Sequence, residues 1–328
     1  MSESPESARL SRAISLPGTV AIGALTALQA RVNGSLGTAL GDPFVTGVVS
    51  FGSGLVIVAI IVALLPAGRA GVGRLMRGIR RGGGAGERSI PIWMLFGGFA
   101  GAFTVATQGL TVATIGVALF TVGLVAGQTA CGLILDRVGY GPAGVVRLTT
   151  GRVVGALLAI AGVIACLVGE DIGSVPWPYL VLPFVAGAGI AWQQATNGRL
   201  RESVESPLTA TLVNFAGGTA ALIVAALVHI GIVGAPKVQP GHGIADAWMY
   251  LGGAIGVAYI FMSAALVRRT GVLLLGLGSV VGLLSTSVVL DALWPAPSGP
   301  SLVAALVAAA LALVGAVIAA VPWGRARR

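Results

Sequence analysis

Charge is scarce in this chain. Only 9% of its residues are Asp, Glu, Lys or Arg, where soluble domains carry roughly 25%. With 56% hydrophobic residues as well, a water-soluble fold is excluded and the chain belongs in a membrane. Acid is missing where it would matter most. None of the 11 Asp and Glu residues sits deep in an apolar stretch: Asp136 and Asp291 fall at stretch ends, and the others lie in loops or tails. Proton coupling through a buried membrane carboxylate therefore has no support. Only two histidines are present, the groups that titrate near neutrality. His229 falls near the outer end of an apolar stretch and His242 in a loop, and both read as interfacial. The two cysteines, Cys131 and Cys166, sit in apolar helical sequence without disulfide or metal-ligand spacing. They read as small packing residues. There is no Walker loop, HExxH, Gly-x-Ser-x-Gly or metal-spaced Cys/His cluster, so the expectation is no enzyme, no cofactor and no metal site.

Windows of about 20 apolar residues can cross a bilayer. They fall at 17–38, 44–65, 91–112, 115–135, 148–168, 179–199, 208–231, 247–267, 271–291 and 301–321. The net charge of +9 does not form a nucleic-acid patch, because the arginines alternate by loop. Threading ten spans puts nearly all of them on one face, with Arg31 and Lys237 left on the other, and the positive-inside rule places both termini in the cytoplasm. Arg9 to Ala30 resembles a secretory signal. A removable signal would not be echoed in mid-chain, as this segment is at Gln193 and Asn197, so it reads as a permanent helix. The basic stretch from Pro66 to Arg88 reads as a flexible cytoplasmic loop, with an amphipathic turn at Leu75 to Ile79 available to the anionic leaflet.

The chain repeats itself. LQARVNGSLGTALGDPFVTGVVSFGSG from Leu28 lies without gaps over WQQATNGRLRESVESPLTATLVNFAGG from Trp192. A second ungapped block pairs Trp93 with Trp248, Met94 with Met249, Gly97 with Gly252, Gly101 with Gly256, Gly116 with Gly271, Gly123 with Gly278, Gly127 with Gly282 and Asp136 with Asp291. The expected fold is an all-α polytopic membrane protein of ten transmembrane helices. Its parts are a cytoplasmic tail (1–16), a first five-helix repeat (17–168), an outer linker (169–178), a second five-helix repeat (179–321) and a basic cytoplasmic tail (322–328). Because five crossings is an odd number, the second copy enters the bilayer from the opposite side, giving the inverted repeats of secondary transporters.

Polar groups inside such helices face a cavity or one another. Gln29 and Asn33 share a helical face, and Gln193 with Asn197 repeats the pair. The two amide ladders are expected to face each other across the repeat axis. Two readings stay open: the amides line a cavity for a polar small molecule, or they staple helices and cap ends at the Asn-Gly steps. Arg31 has no counterpart, since Ala195 takes its place; it either attracts an anionic group or snorkels to outer headgroups. Gln108, Gln128, Gln194, Asn214, Ser50, Ser263, Thr104 and Tyr259 complete the candidate lining. Gly116, Gly123 and Gly127, echoed by Gly271, Gly278 and Gly282, read as close-packing positions. Spans five and ten read as peripheral.

On the duplicated first-helix pattern quoted above, the chain resembles the drug/metabolite transporter superfamily, and within it the YdcZ type. The resemblance covers nearly the whole chain. It implies ten helices in inverted repeats around a cavity lined by helices one, three, four, six, eight and nine, which here carry Gln29, Gln108, Gln128, Gln193, Asn197 and Tyr259. Small multidrug-resistance relatives have an essential glutamate in the first helix. Amides stand here instead, so cation/proton antiport of that kind is not carried over. The expected function is export of a small polar metabolite or drug-like molecule by a multi-pass protein of the inner membrane. A passive facilitator, a membrane scaffold or an enzyme on lipid-linked substrates is the alternative. The expected partners are the substrate and the lipid bilayer, with no nucleic acid. A monomer is expected, and a homodimer through the glycine faces is the other option.

Overall fold

The computed structural model describes residues 5–80, 89–141, 144–145, 149–167, 176–236, 244–295 and 301–320. Its helices are α1 (Pro5–Leu40), α2 (Pro43–Leu64), α3 (Pro66–Arg80), α4 (Gly97–Val138), α5 (Thr150–Leu167), α6 (Trp177–Val204), α7 (Pro207–Val233), α8 (Gly252–Leu293) and α9 (Leu302–Ala320). Short 3₁₀ turns at Ile92–Phe96 and Ile244–Leu251 lead into α4 and α8. The described residues are thus all-helical apart from their connections. Among the described residues, four stretches are long and apolar enough to cross a membrane: Pro43–Leu64, Ile92–Val138, Pro207–Val233 and Asp246–Leu266. Val153–Gly162, Gly278–Leu293 and Leu302–Gly315 are shorter apolar helices.

Helix starts follow local chemistry. Asp42 accepts the Phe44 and Val45 N–H groups at the head of α2, and Ser206 accepts that of Thr209 at the head of α7. Each side chain satisfies donors that have no partner inside the helix, and the proline that follows has no N–H to leave unpaired. Asp42 and Ser206 occupy matching positions in the duplicated sequence, so each copy carries its own cap.

Helix α1 begins at Pro5, inside the segment expected as a tail. The stretch expected as a flexible loop holds the 15-residue helix α3; its remainder, residues 81–88, lies outside the described residues. Spans three and four are continuous in α4 except at Gly116, where φ 80° and ψ 165° break the helix. Only glycine adopts that backbone readily. Gly116 is therefore a break point, where the glycine pattern had suggested a packing position.

The packing obeys the duplication. Helix α1 lies along α8 and α6 lies along α4, while α2 packs on α7 and α5 on α9. A Cβ on Gly282 would strike the backbone of Val20 and Ala24, and one on Gly127 would strike that of Phe184 and Ala188. Val20 and Phe184 are matching positions, as are Ala24 and Ala188. Likewise Gly253 closes on Ser50 and Gly54, and Gly98 on the matching Asn214 and Gly218. The Gly127 and Gly282 faces are thus occupied within the chain, by α6 and α1. Phe51 and Phe215, matching positions on α2 and α7, meet with ring centroids 4.9 Å apart. Both are fully buried.

Candidate functional site

The polar side chains of the interior gather into two clusters, each built mainly from one half. In the first, Asn33 Nδ2 donates to Gln108 Oε1 at 2.7 Å, and Gln29 Nε2 donates to the Gly252 carbonyl at 2.9 Å. A Cβ on Gly252 would press on Asn33 Oδ1 and lie 2.7 Å from Ser50 Oγ, so Ser50 belongs to this cluster. In the second, Gln193 Nε2 and Asn197 Nδ2 both donate to Asn214 Oδ1, at 2.8 and 2.9 Å. Gly97, the counterpart of Gly252, closes against Asn197 with a Cβ position 2.5 Å from Oδ1. Each cluster is thus capped by the other half's glycine at its 3₁₀-to-α junction.

The duplication explains the composition. Gln108 on α4 matches Ser263 on α8, and Ser50 on α2 matches Asn214 on α7. Each half therefore keeps three amides and one hydroxyl, with the third amide moved from α4 to α7. The Phe51–Phe215 pair stands between the clusters. A Cβ on Gly101 would lie 2.9 Å from Phe51 and 3.1 Å from Gln193, and one on Gly256 would lie 3.2 Å from Phe215 and 2.6 Å from Gln29.

Neither cluster is internally satisfied. Asn33 Oδ1, Ser50 Oγ and Gln108 Nε2 in the first, and Gln193 Oε1 and Asn214 Nδ2 in the second, are buried without a hydrogen-bond partner. A buried amide atom left unpaired costs about 1–3 kcal/mol. Each cluster thus presents both an acceptor and a donor to a polar molecule. A cavity of about 40 Å³ adjoins the second cluster, lined by Gln193, Gln194, Asn197, Tyr259 and Ser263 among others. That volume admits water-sized molecules, far below the roughly 300 Å³ of a small ligand site. Gln194 is also held by Gln128 Nε2 at 3.1 Å, and Thr104 bonds back to its own helix at Ala100.

A larger cavity of about 320 Å³ opens beside Arg31, lined by Gly34, Ser35, Thr38, Val112, Ala113 and Pro295. Arg31 donates to the Trp294 carbonyl at 3.2 Å and lies 5.9 Å from the centre of its ring. This guanidinium is thus held at the end of α8 by the Trp294 carbonyl and ring. His229, read from the sequence as interfacial, has its Nδ1 2.9 Å from Asp42 Oδ2, tying the end of α7 to the cap of α2. His242 lies outside the described residues. Cys131 is a free thiol, and the side chain of Cys166 lies outside the described residues. No group of three or more His, Cys, Asp or Glu suited to a metal occurs among the described residues.

Sequence reasoning missed two features. Asp291 accepts the Val117 and Ala118 N–H groups where α4 restarts after Gly116. Arg199 donates to the Gly139 carbonyl and lies against the rings of Trp93 and Tyr140, and Tyr140 in turn bonds Thr196 beside Asn197. The Asp136/Asp291 and Trp93/Trp248 pairings marked these places, but pairing alone assigns no role.

The comparisons with known proteins agree with this architecture. No curated protein matches the chain. A solved structure described only as a crystal structure of protein is 22% identical, covers 97% of this chain and 97% of its own, and has a TM-score of 0.53; at that identity it speaks to the fold alone. The family described as a putative inner membrane exporter, YdcZ, matches twice, at residues 15–165 and 178–318. Those two stretches hold both polar clusters, one in each, and the chain belongs to this DMT_YdcZ family.

Proposed function

We propose that the protein is a secondary transporter exporting a small polar metabolite or drug-like molecule by alternating access of two inverted five-helix repeats. At about 1.5 Å per residue, the 42 residues of α4 and of α8 each carry about 63 Å of helix. That is two crossings of a core roughly 30 Å thick. With α1, α2, α5, α6, α7 and α9 the total is ten, five in each half. The second half then enters from the opposite face, with both termini on the arginine-rich, cytoplasmic side. The paired contacts around Phe51 and Phe215 support that reading, and a single chain supplies both halves, so the working unit is a monomer.

The observation that carries the proposal is the pair of buried amide clusters, one per half, each with unpartnered donors and acceptors and each closed by the other half's glycine. Movement of one half against the other withdraws Gly252 from Asn33 and Gly97 from Asn197, opening the clusters in turn. The central cavity is closed to all but water-sized molecules in this conformation, and the space beside Arg31 is the open vestibule. Direction follows from the family's exporter description.

The test compares metabolites inside and outside cells that lack the protein, overproduce it, or overproduce a variant with Gln29, Asn33, Gln193 and Asn197 all changed to Ala. The expected result is a compound displaced outward by the native protein and not by the variant. Equal displacement by both, at equal expression, refutes the assigned site. Counterflow of labelled substrate in vesicles separates a transporter from a passive facilitator, which shows none.

A further inference from the structure

We propose that the outward face of α3 is a binding surface for the headgroups of anionic phospholipids, with its apolar edge seated in the acyl boundary beneath them. The inference rests on membrane insertion of α2 and α4 and is independent of what is transported.

The helix has two distinct sides. Gly68, Gly71, Leu75 and Gly78 are buried and recur at helical spacing. On that side the backbone lies tight on its neighbours: a Cβ on Gly68 would come 2.8 Å from the Val62 backbone, and one on Gly71 would come 2.6 Å from Ser206. Arg74 Nε donates to the Val204 carbonyl at 2.7 Å and its Nη2 to that of Glu205 at 3.3 Å. A guanidinium at the C-terminal carbonyls of α6 is favourably placed. Helix α3 is therefore fixed to the α6–α7 turn.

The other side is exposed. Met76 is 52% and Ile79 40% exposed; they fall at i and i+3, on one edge, next to Val72, which packs on the core of α2 and α7. Arg69 and Arg77 are exposed beside them, and Arg80 lies in register with Arg69. Arg69 also donates to the Ala63 carbonyl at 2.7 Å, which binds α3 to the end of α2. The chain enters α3 directly from Leu64, itself 70% exposed, at the end of an apolar crossing, so this side meets the bilayer at headgroup depth. An arginine-bearing helix with an apolar edge is suited to that depth. Its charge selects an anionic over a zwitterionic surface.

The experiment places a fluorophore at Met76→Cys, in a Cys131→Ser, Cys166→Ser background of the full-length protein. Nanodiscs contain phosphatidylcholine alone or an equal mixture with phosphatidylglycerol, and quenchers are nitroxide-bearing lipid and aqueous iodide. The expected result is quenching by the nitroxide lipid in the mixed discs. In the same discs, native mass spectrometry should find retained phosphatidylglycerol over phosphatidylcholine about thirtyfold lower for R69Q/R77Q, about fivefold for each arginine. High salt on the unaltered arginines should lower the ratio in the same direction, which keeps the test valid if the double variant folds poorly. Quenching by iodide alone, as an acidic protein partner's site would give, overturns the proposal. So does an unchanged lipid ratio on arginine substitution and at high salt.

Discussion

The carboxylate of Asp291, near the end of α8, holds the N–H of Val117 at 3.0 Å, one residue after α4 breaks at Gly116, while its second oxygen takes the Ala118 N–H at 2.7 Å. One half thus supplies the N-cap for a helix of the other. A helix restarting at a break has N–H groups with no partner in its own turn, and a carboxylate there satisfies two of them with charge-assisted bonds. Asp291→Ala should lower unfolding stability in detergent by about 2 kcal/mol. Asp291→Asn, which retains one acceptor, should cost about half as much. Gly116→Ala, which forces a side chain into a backbone region open to glycine, should cost about 1–3 kcal/mol. Thermal unfolding followed by size-exclusion chromatography ranks the three against native protein.

Glycine content alone does not say which glycines matter, but their surroundings do. Gly127 faces the Phe184 backbone and Gly282 that of Val20, whereas nothing lies within 4 Å of a Cβ placed on Gly132. Gly127→Ala and Gly282→Ala should each push apart two helices from different halves and sharply reduce the yield of monodisperse protein. Gly132→Ala, in the same helix as Gly127, should be neutral or stabilise by up to about 1 kcal/mol. Fluorescence-detected chromatography of the tagged variants reads all three, and equal loss for Gly132→Ala, where Ala should favour the helix, would show that close approach at Gly127 and Gly282 does not govern the effect.

Much of this architecture was legible because duplication is written in residue identity. The Gln29/Asn33 and Gln193/Asn197 pairs and the Gly127/Gly282 pair could be read directly, and so could the all-helical character of the described residues. What joins them could not. Gln108 and Asn214 are isolated amides in sequence, at positions that do not match each other, and only packing brings each to its own cluster. Gly116 looks like Gly123 until its backbone dihedrals are known. Asp291 meets Val117 across 174 residues, a separation no local pattern encodes. In α3 the arginines dominate the composition and suggest a loop, while the buried spacing of Gly68, Gly71, Leu75 and Gly78 carries the helix. Glycine on the buried face reads as loop sequence, although Val72, Leu75, Met76 and Ile79 recur beside it at helical spacing.

The Asp42–His229 contact ties the start of α2 to the end of α7. Asp42 is 2% exposed and does two jobs: one oxygen caps α2 through Phe44 and Val45, and the other meets His229. Asp42→Ala removes both, and His229→Ala removes one. The loss in unfolding stability should therefore be larger for Asp42→Ala, by the worth of the cap, about 1 kcal/mol. Ser206 caps the matching helix with a neutral hydroxyl, so Asp42→Ser should recover most of that difference. Chemical unfolding of the purified variants gives the order, and an Asp42→Ser variant no better than Asp42→Ala would show that the contact with His229, not the cap, holds this corner.

The two amide clusters make a prediction that a single shared site does not. The Asn33–Gln108 bond and the Gln193–Asn214 and Asn197–Asn214 bonds each lie within one half, Gln29 reaches across to the Gly252 carbonyl, and the Phe51–Phe215 pair stands between the clusters. If substrate passes from one cluster to the other as the halves rock, Gln29→Ala/Asn33→Ala and Gln193→Ala/Asn197→Ala should each reduce export. They should do so by raising the half-saturating substrate level on opposite sides of the membrane. Loss of one good hydrogen bond to substrate, about 1.4 kcal/mol, corresponds to about a tenfold rise. Phe51→Ala opens the barrier between the clusters and should increase passive leak of the same substrate while weakening accumulation against a gradient. Transport into inside-out and right-side-out vesicles measures the two sides separately. If both double variants raise the half-saturating level on the same side, the clusters act as one site, and alternate opening by Gly97 and Gly252 is the part of the mechanism that falls.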